Sequence, residues 1–118
     1  MPRRKALFIE LRSETPDAAE LDLVRDYGGL GYLVVPVIGT DGDPDAEHRI
    51  RTATGARVTR PLQLDGTFAP QRIWEFARAQ QLDLDRSVLV SLSDRNDGIF
   101  MTAGVRRILR PARTRLAA

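Results

Sequence analysis

The sequence predicts one α/β domain in three layers, with helices on both faces of a mainly parallel five-stranded sheet. Three observations predict it. Apolar runs at residues 6–9, 34–38 and 88–90 are continuous rather than alternating, as in strands covered on both faces. Segments of helical period lie between them, and strand–helix alternation is the pattern of a parallel sheet joined by crossovers. At 118 residues the chain suits one buried core and is short for two. The domain is expected over residues 1–110, with the first apolar run in the middle of the sheet and the other two beside it. Residues 111–118 form a basic tail.

Ala6-Leu7-Phe8-Ile9 is the first strand. Thr15-Pro16-Asp17 then carries helix-start chemistry: a hydroxyl N-cap, a proline at the first helical position and an acid in the first turn. Ala18, Leu21 and Val24 recur at helical spacing, and Gly28-Gly29 are expected to end the helix. Residues 32–38 form the second strand. Pro36 lies inside it and cannot donate a ladder bond, so a bulge or an unpaired position is expected there. A loop over 40–45 leads to a short helix over 45–53, closed near Gly55, and a weak third strand follows at 57–62. Residues 70–81 are a helix with Ile73, Phe76, Ala77 and Gln80 on one side. A strand at 88–92, a helix at 97–103 and a short strand at 106–109 complete the domain.

Composition narrows the function classes. There is no cysteine, which excludes disulfides and Cys-based zinc sites. No apolar run approaches the roughly 20 residues of a membrane span and no signal-peptide pattern opens the chain, so a cytoplasmic setting without membrane contact is expected. The net charge is only +2, yet seventeen of the eighteen basic residues are arginine, with Lys5 the exception. After Asp97 there is no further acid, while Arg106, Arg107, Arg110, Arg113 and Arg115 follow. Such a run is a candidate for weak nucleic-acid binding, or a solvated chain end.

The second half carries a more specific pattern. A helix is followed by Leu82-Asp83-Leu84-Asp85-Arg86-Ser87-Val88-Leu89-Val90, then Ser91-Leu92-Ser93-Asp94-Arg95-Asn96-Asp97, then Ala103-Gly104-Val105. This resembles the final third of the haloacid dehalogenase (HAD) phosphatases, particularly the small histidinol-phosphate and heptose-bisphosphate type. Residues 5–9 and Gly31-Tyr32-Leu33-Val34-Val35 resemble the family's first two strands more loosely. The resemblance implies a Rossmann-like core. Residues 10–31 leave no room for the flap that normally follows the first strand, and without it water exclusion is poor.

The resemblance also implies where chemistry would sit. In the family an aspartate attacks phosphorus and a second, two residues on, protonates the leaving group. A hydroxyl and a lysine hold the phosphoryl oxygens, and acids after the fourth strand bind magnesium. Here Glu10 stands at the nucleophile position and Arg12 at the acid/base position, followed by Ser13 and Glu14. The hydroxyl position falls on Ile38, with Thr40 two residues away, and the lysine position near Thr67. The two magnesium acids are replaced by Leu92 and Asn96. A carboxylate displaced by about 1 Å can cost on the order of 100-fold in rate, and an arginine is no acid near neutral pH.

A degenerate HAD-like domain is therefore expected, a pseudophosphatase rather than an enzyme. It would act as an interaction or scaffolding module without a cofactor, on an unidentified protein partner or a second copy of itself. One alternative is a divergent phosphohydrolase using Glu10, with Asp94 or Asp97 as magnesium ligands. The other is a nucleic-acid-associated module using the five C-terminal arginines. A response-regulator receiver shares the topology, but its acidic pair, phospho-accepting aspartate and late lysine are missing.

Several signals read as structure. Asp65-Gly66-Thr67 mimics the family's nucleophile box but precedes a helix, where Asp-Gly is a turn pair. The alternating acids of residues 41–45 lack the sixth-position glycine and twelfth-position glutamate of a calcium loop. His48 has no second histidine or cysteine with which to build a transition-metal site. Trp74 lies just outside its helix's core stripe, suited to packing or to anchoring a partner.

Overall fold

The three continuous apolar runs are the three central strands. β1 (Ala6–Glu10) lies between β2 (Leu33–Ile38) and β4 (Val88–Val90), with β3 (Leu62–Gln63) and β5 (Arg107–Leu109) at the edges. All four pairings of the sheet β3-β2-β1-β4-β5 are parallel. This computed structural model describes residues 3–11, 18–38, 45–64, 69–91 and 94–110. Residues 6–9 are 0% exposed because both faces are covered. Ala6 and Phe8 join Ile73 and Phe76 of α3 (Ala69–Gln80) and Phe100 of α4 (Asp94–Ala103). Leu7 and Ile9 join Val24 of α1 (Ala18–Gly29) and Ile50 of α2 (Ala46–Thr54). The rings of Phe8 and Phe100 meet at 5.2 Å. Each such side chain, fully buried, contributes about 1.5–3 kcal/mol.

Every helix passes the chain to its strand through a left-handed residue. At the end of α1, Tyr32 N donates to Tyr27 O and Gly31 N to Gly28 O, the paired bonds of a Schellman motif, with Gly31 at φ +91°. The helix ends on Gly29, within the pair expected to end it, and the left-handed cap is Gly31. The same bonds close α4 at Gly104 and α3 at Gln81, and a single bond from Gly55 N to Arg51 O closes α2. Gln81 is the one non-glycine residue at positive φ among the described residues, at 57°.

Pro36 interrupts the sheet on one side alone. Its register with β1 is unbroken from Ala6↔Leu33 to Glu10↔Val37. On the other side Val34 N donates to Arg57 O and Val34 O accepts from Thr59 N, both at 2.9 Å. In that register Pro36 would next donate to Thr59 and accept from Pro61, and neither proline nitrogen carries a hydrogen. The ladder skips both rungs and resumes one residue out of step, Val37 with Leu62 and Ile38 with Gln63. The weak strand expected over 57–62 is therefore an isolated bridge at Val58 followed by the two-residue β3.

Other differences are local. α1 faces the core through Val24 with Leu23 and Tyr27, whereas Ala18 is exposed and Leu21 half-buried. The Thr15-Pro16-Asp17 helix start lies outside the described residues. β4 stops at Val90 and α4 begins at Asp94, three residues before the expected start. Among the described residues no helix is long and apolar enough to cross a membrane.

Candidate functional site

In a parallel sheet, ligands bind beyond the carboxyl ends of the strands, where the winding direction reverses. Here that point lies between β1 and β4, the central neighbours furthest apart in sequence. Glu10 ends β1, and α4 starts so soon after β4 that its first turn carries Asn96 and Asp97 to the same place. Asn96 Nδ2 donates to Glu10 Oε1 at 2.6 Å. Glu10 is 8% exposed and Asn96 half-buried, so the carboxylate has exchanged most of its water for protein.

Asp97 faces the β5 side. Its Oδ2 accepts from Arg110 Nη2 at 2.5 Å, and its buried Oδ1 has no partner among the described residues. The backbone closes the edge further: Leu11 N donates to Val37 O, and Ser91 N to Leu109 O. Ile38 is 7% exposed and packs in the α1 and α2 core layer, so the position that the resemblance gives to a hydroxyl is filled by a core side chain. Arg12, Ser13, Glu14, Thr40, Thr67 and Leu92 lie outside the described residues, as does the side chain of Asp94.

These residues do not fit magnesium. Glu10 and Asn96, at the positions the resemblance gives to the nucleophile and to a magnesium acid, touch directly, and the amide N–H points at the carboxylate oxygen that a cation would need. The 2.6 Å separation leaves no space for an ion between them. Asp97 is turned to a guanidinium. Among the described residues no three His, Cys, Asp or Glu side chains are grouped to hold a metal.

The candidate polyanion-binding arginines divide. Arg106 pairs with Asp85 at 2.5 Å and Arg110 with Asp97 at 2.5 Å, while Arg107 is exposed. Arg113 and Arg115 lie outside the described residues. His48 is exposed on α2. The turn at 65–67 and the acids at 41–44 lie outside the described residues; Asp45 immediately precedes α2. The resemblance puts Glu10 and Asn96 at site positions but does not give the contact between them. Nothing in the spacing of Asp97 and Arg110 announces their pairing, which closes across the β5 turn. Searches against protein-family models and curated proteins return no match for this chain.

Proposed function

We propose that this chain is a catalytically degenerate HAD-like domain, a pseudophosphatase, that works as an interaction or scaffolding module. The observation that carries the reading is the Glu10–Asn96 hydrogen bond. Phosphoryl transfer at this edge needs an in-line carboxylate and a cation to offset phosphate charge. Glu10 is instead held by an amide donor, and Asp97 by Arg110. The sheet order with β1 central, and the strand and turn sequences over 82–105, support the ancestry.

The test is hydrolysis of p-nitrophenyl phosphate and a panel of sugar phosphates, with and without magnesium. No magnesium-dependent phosphate release is expected from the full chain, and Glu10→Gln should match the wild type. Turnover that disappears in Glu10→Gln would replace this reading with the divergent phosphohydrolase.

A further inference from the structure

The opposite edge of the sheet gathers unpaired cations. There the strands begin, and an arginine stands just ahead of four of the five lanes. Arg57 precedes the Val58 bridge beside β2, Arg4 precedes Lys5 and β1, Arg86 precedes Ser87 and β4, and Arg106 precedes β5. With neighbouring strands about 4.8 Å apart, the row extends roughly 19 Å. Four helices also end at this edge, and their carbonyl ends attract cations on their own account. That explains Arg25, whose Nη2 donates to Ala53 O near the end of α2 at 3.2 Å. It does not explain Arg3, Arg4, Arg57, Arg78 and Arg86, whose guanidinium groups have no hydrogen-bond or ion-pair partner among the described residues.

Two cavities open on this edge, one on each face of the sheet. The cavity on the α1 and α2 face, about 680 Å³, is lined by Arg4, Arg25 and Arg57 and by no carboxylate. The cavity on the α3 and α4 face, about 570 Å³, sets Arg3, Arg78 and Arg106 around Trp74 and Met101. Its acids are Asp83 and Asp85, and Asp85 is held by Arg106 in an exposed pair of little worth in water. Arg3 and Arg4 are consecutive, so the start of β1 is the ridge where the two cavities meet. Trp74 is 51% exposed, yet its ring is fixed by a 2.7 Å bond from Nε1 to Ala103 O. Met101 beside it is 60% exposed.

A rigid, half-exposed indole beside a row of guanidiniums, of which only Arg106 is ion-paired, matches the chemistry of a single strand. Its phosphates need fixed cations, and its unpaired bases need an aromatic face. An acidic peptide would use the arginines but has no base to lay on the ring. We propose that the amino edge of the sheet binds single-stranded nucleic acid, with phosphates along the arginine row and a base stacked on Trp74. The site is independent of the pseudophosphatase reading and of the C-terminal tail.

The test is fluorescence anisotropy of a labelled oligothymidylate of about 15 nucleotides with the full chain, over a range of salt concentrations. Arg4→Ala with Arg57→Ala should lower the slope of log affinity against log salt by about 0.7 for each arginine. Trp74→Ala should weaken binding roughly 5- to 100-fold with the slope unchanged. Trp74→Phe, which keeps a stacking face and loses the bond to Ala103, should retain most of the affinity. The Arg113→Ala and Arg115→Ala double variant should keep the Trp74 dependence. The proposal is overturned if the wild type does not bind, if the Arg4/Arg57 variant binds with unchanged slope, or if both Trp74 variants bind as the wild type does. Loss of all binding in the Arg113/Arg115 variant would move the footprint to the tail. Equal competition by polyglutamate of matched charge, insensitive to Trp74, would reassign the edge to an acidic protein partner.

Discussion

Replacing Asn96 by aspartate reverses the interaction on which the functional reading rests. Asn96 Nδ2 lies 2.6 Å from Glu10 Oε1, and losing a hydrogen bond to a charged acceptor costs about 1.5–3 kcal/mol. Asn96→Asp also places a second carboxylate against the first. At a separation near 4 Å and an effective dielectric of about 20, the repulsion is roughly 4 kcal/mol. Two effects reduce it. Position 96 is half-buried, so the new carboxylate can turn toward water, and an acid in the first turn of α4 regains about 0.3–1 kcal/mol from the helix dipole. The expected net loss is about 2–4 kcal/mol, against about 1.5–3 kcal/mol for Asn96→Ala, which removes the bond without adding charge. Urea unfolding reads this as a fall in midpoint of about 1–2 M for the aspartate variant. The repulsive part needs both carboxylates ionised. It is therefore full near neutrality, and the aspartate and alanine variants should differ there. Aspartate and alanine variants of equal stability at pH 7 would refute the adjacency of Glu10 and Asn96.

Two further predictions concern the scaffold. Ser87 Oγ accepts from Ala6 N at 3.0 Å and donates to Asp83 O at 2.6 Å, at a site 1% exposed; Ser87→Ala should cost about 2–4 kcal/mol by stranding both backbone groups, and an unchanged thermal midpoint would contradict it. Gln81 holds a left-handed φ of 57° at the end of α3, a conformation that costs a side-chain-bearing residue roughly 1–2 kcal/mol. Glycine gives back part of that through unfolded-state entropy, so Gln81→Gly should stabilise the protein by about 0.5–1 kcal/mol in the same urea experiment.

The sheet was legible because its strands are short and apolar throughout. Ala6-Leu7-Phe8-Ile9 has no polar face to show water, which places it in the middle of a two-sided sheet before any pairing is known. Pro36 was legible as an interruption, but its side was not. That depended on Pro61, distant in sequence and opposite in space, removing the second donor. The face of α1 was misread because Ala18, Leu21 and Val24 and the set Val24 with Leu23 and Tyr27 both fit a helical period, and tyrosine is apolar along most of its length. The early start of α4 was hidden by Asp94-Arg95-Asn96, polar residues that read as loop and serve here as a first helical turn. At the site, the sequence marks Glu10 and Asn96 as candidate positions, and only the fold brings their side chains into contact. The Asp97–Arg110 pair joins two elements whose relative placement only the folded sheet supplies.

The two edges of the sheet have parted company in what they demand of the sequence. All four left-handed helix caps lie at the amino edge, with the Ser87 bonds that tie the start of β1 to the turn before β4. The chain reversals that set the topology are therefore fixed there and in the apolar interior. At the carboxyl edge Asn96 is bonded to Glu10 and Arg110 to Asp97. Asn96 gives the buried Glu10 carboxylate a hydrogen-bond partner of its own. An ion pair does the same for Asp97. At the other edge, Arg4, Arg57, Arg78 and Arg86 project from positions whose backbone is already held by hydrogen bonds, so the fold does not depend on their charges.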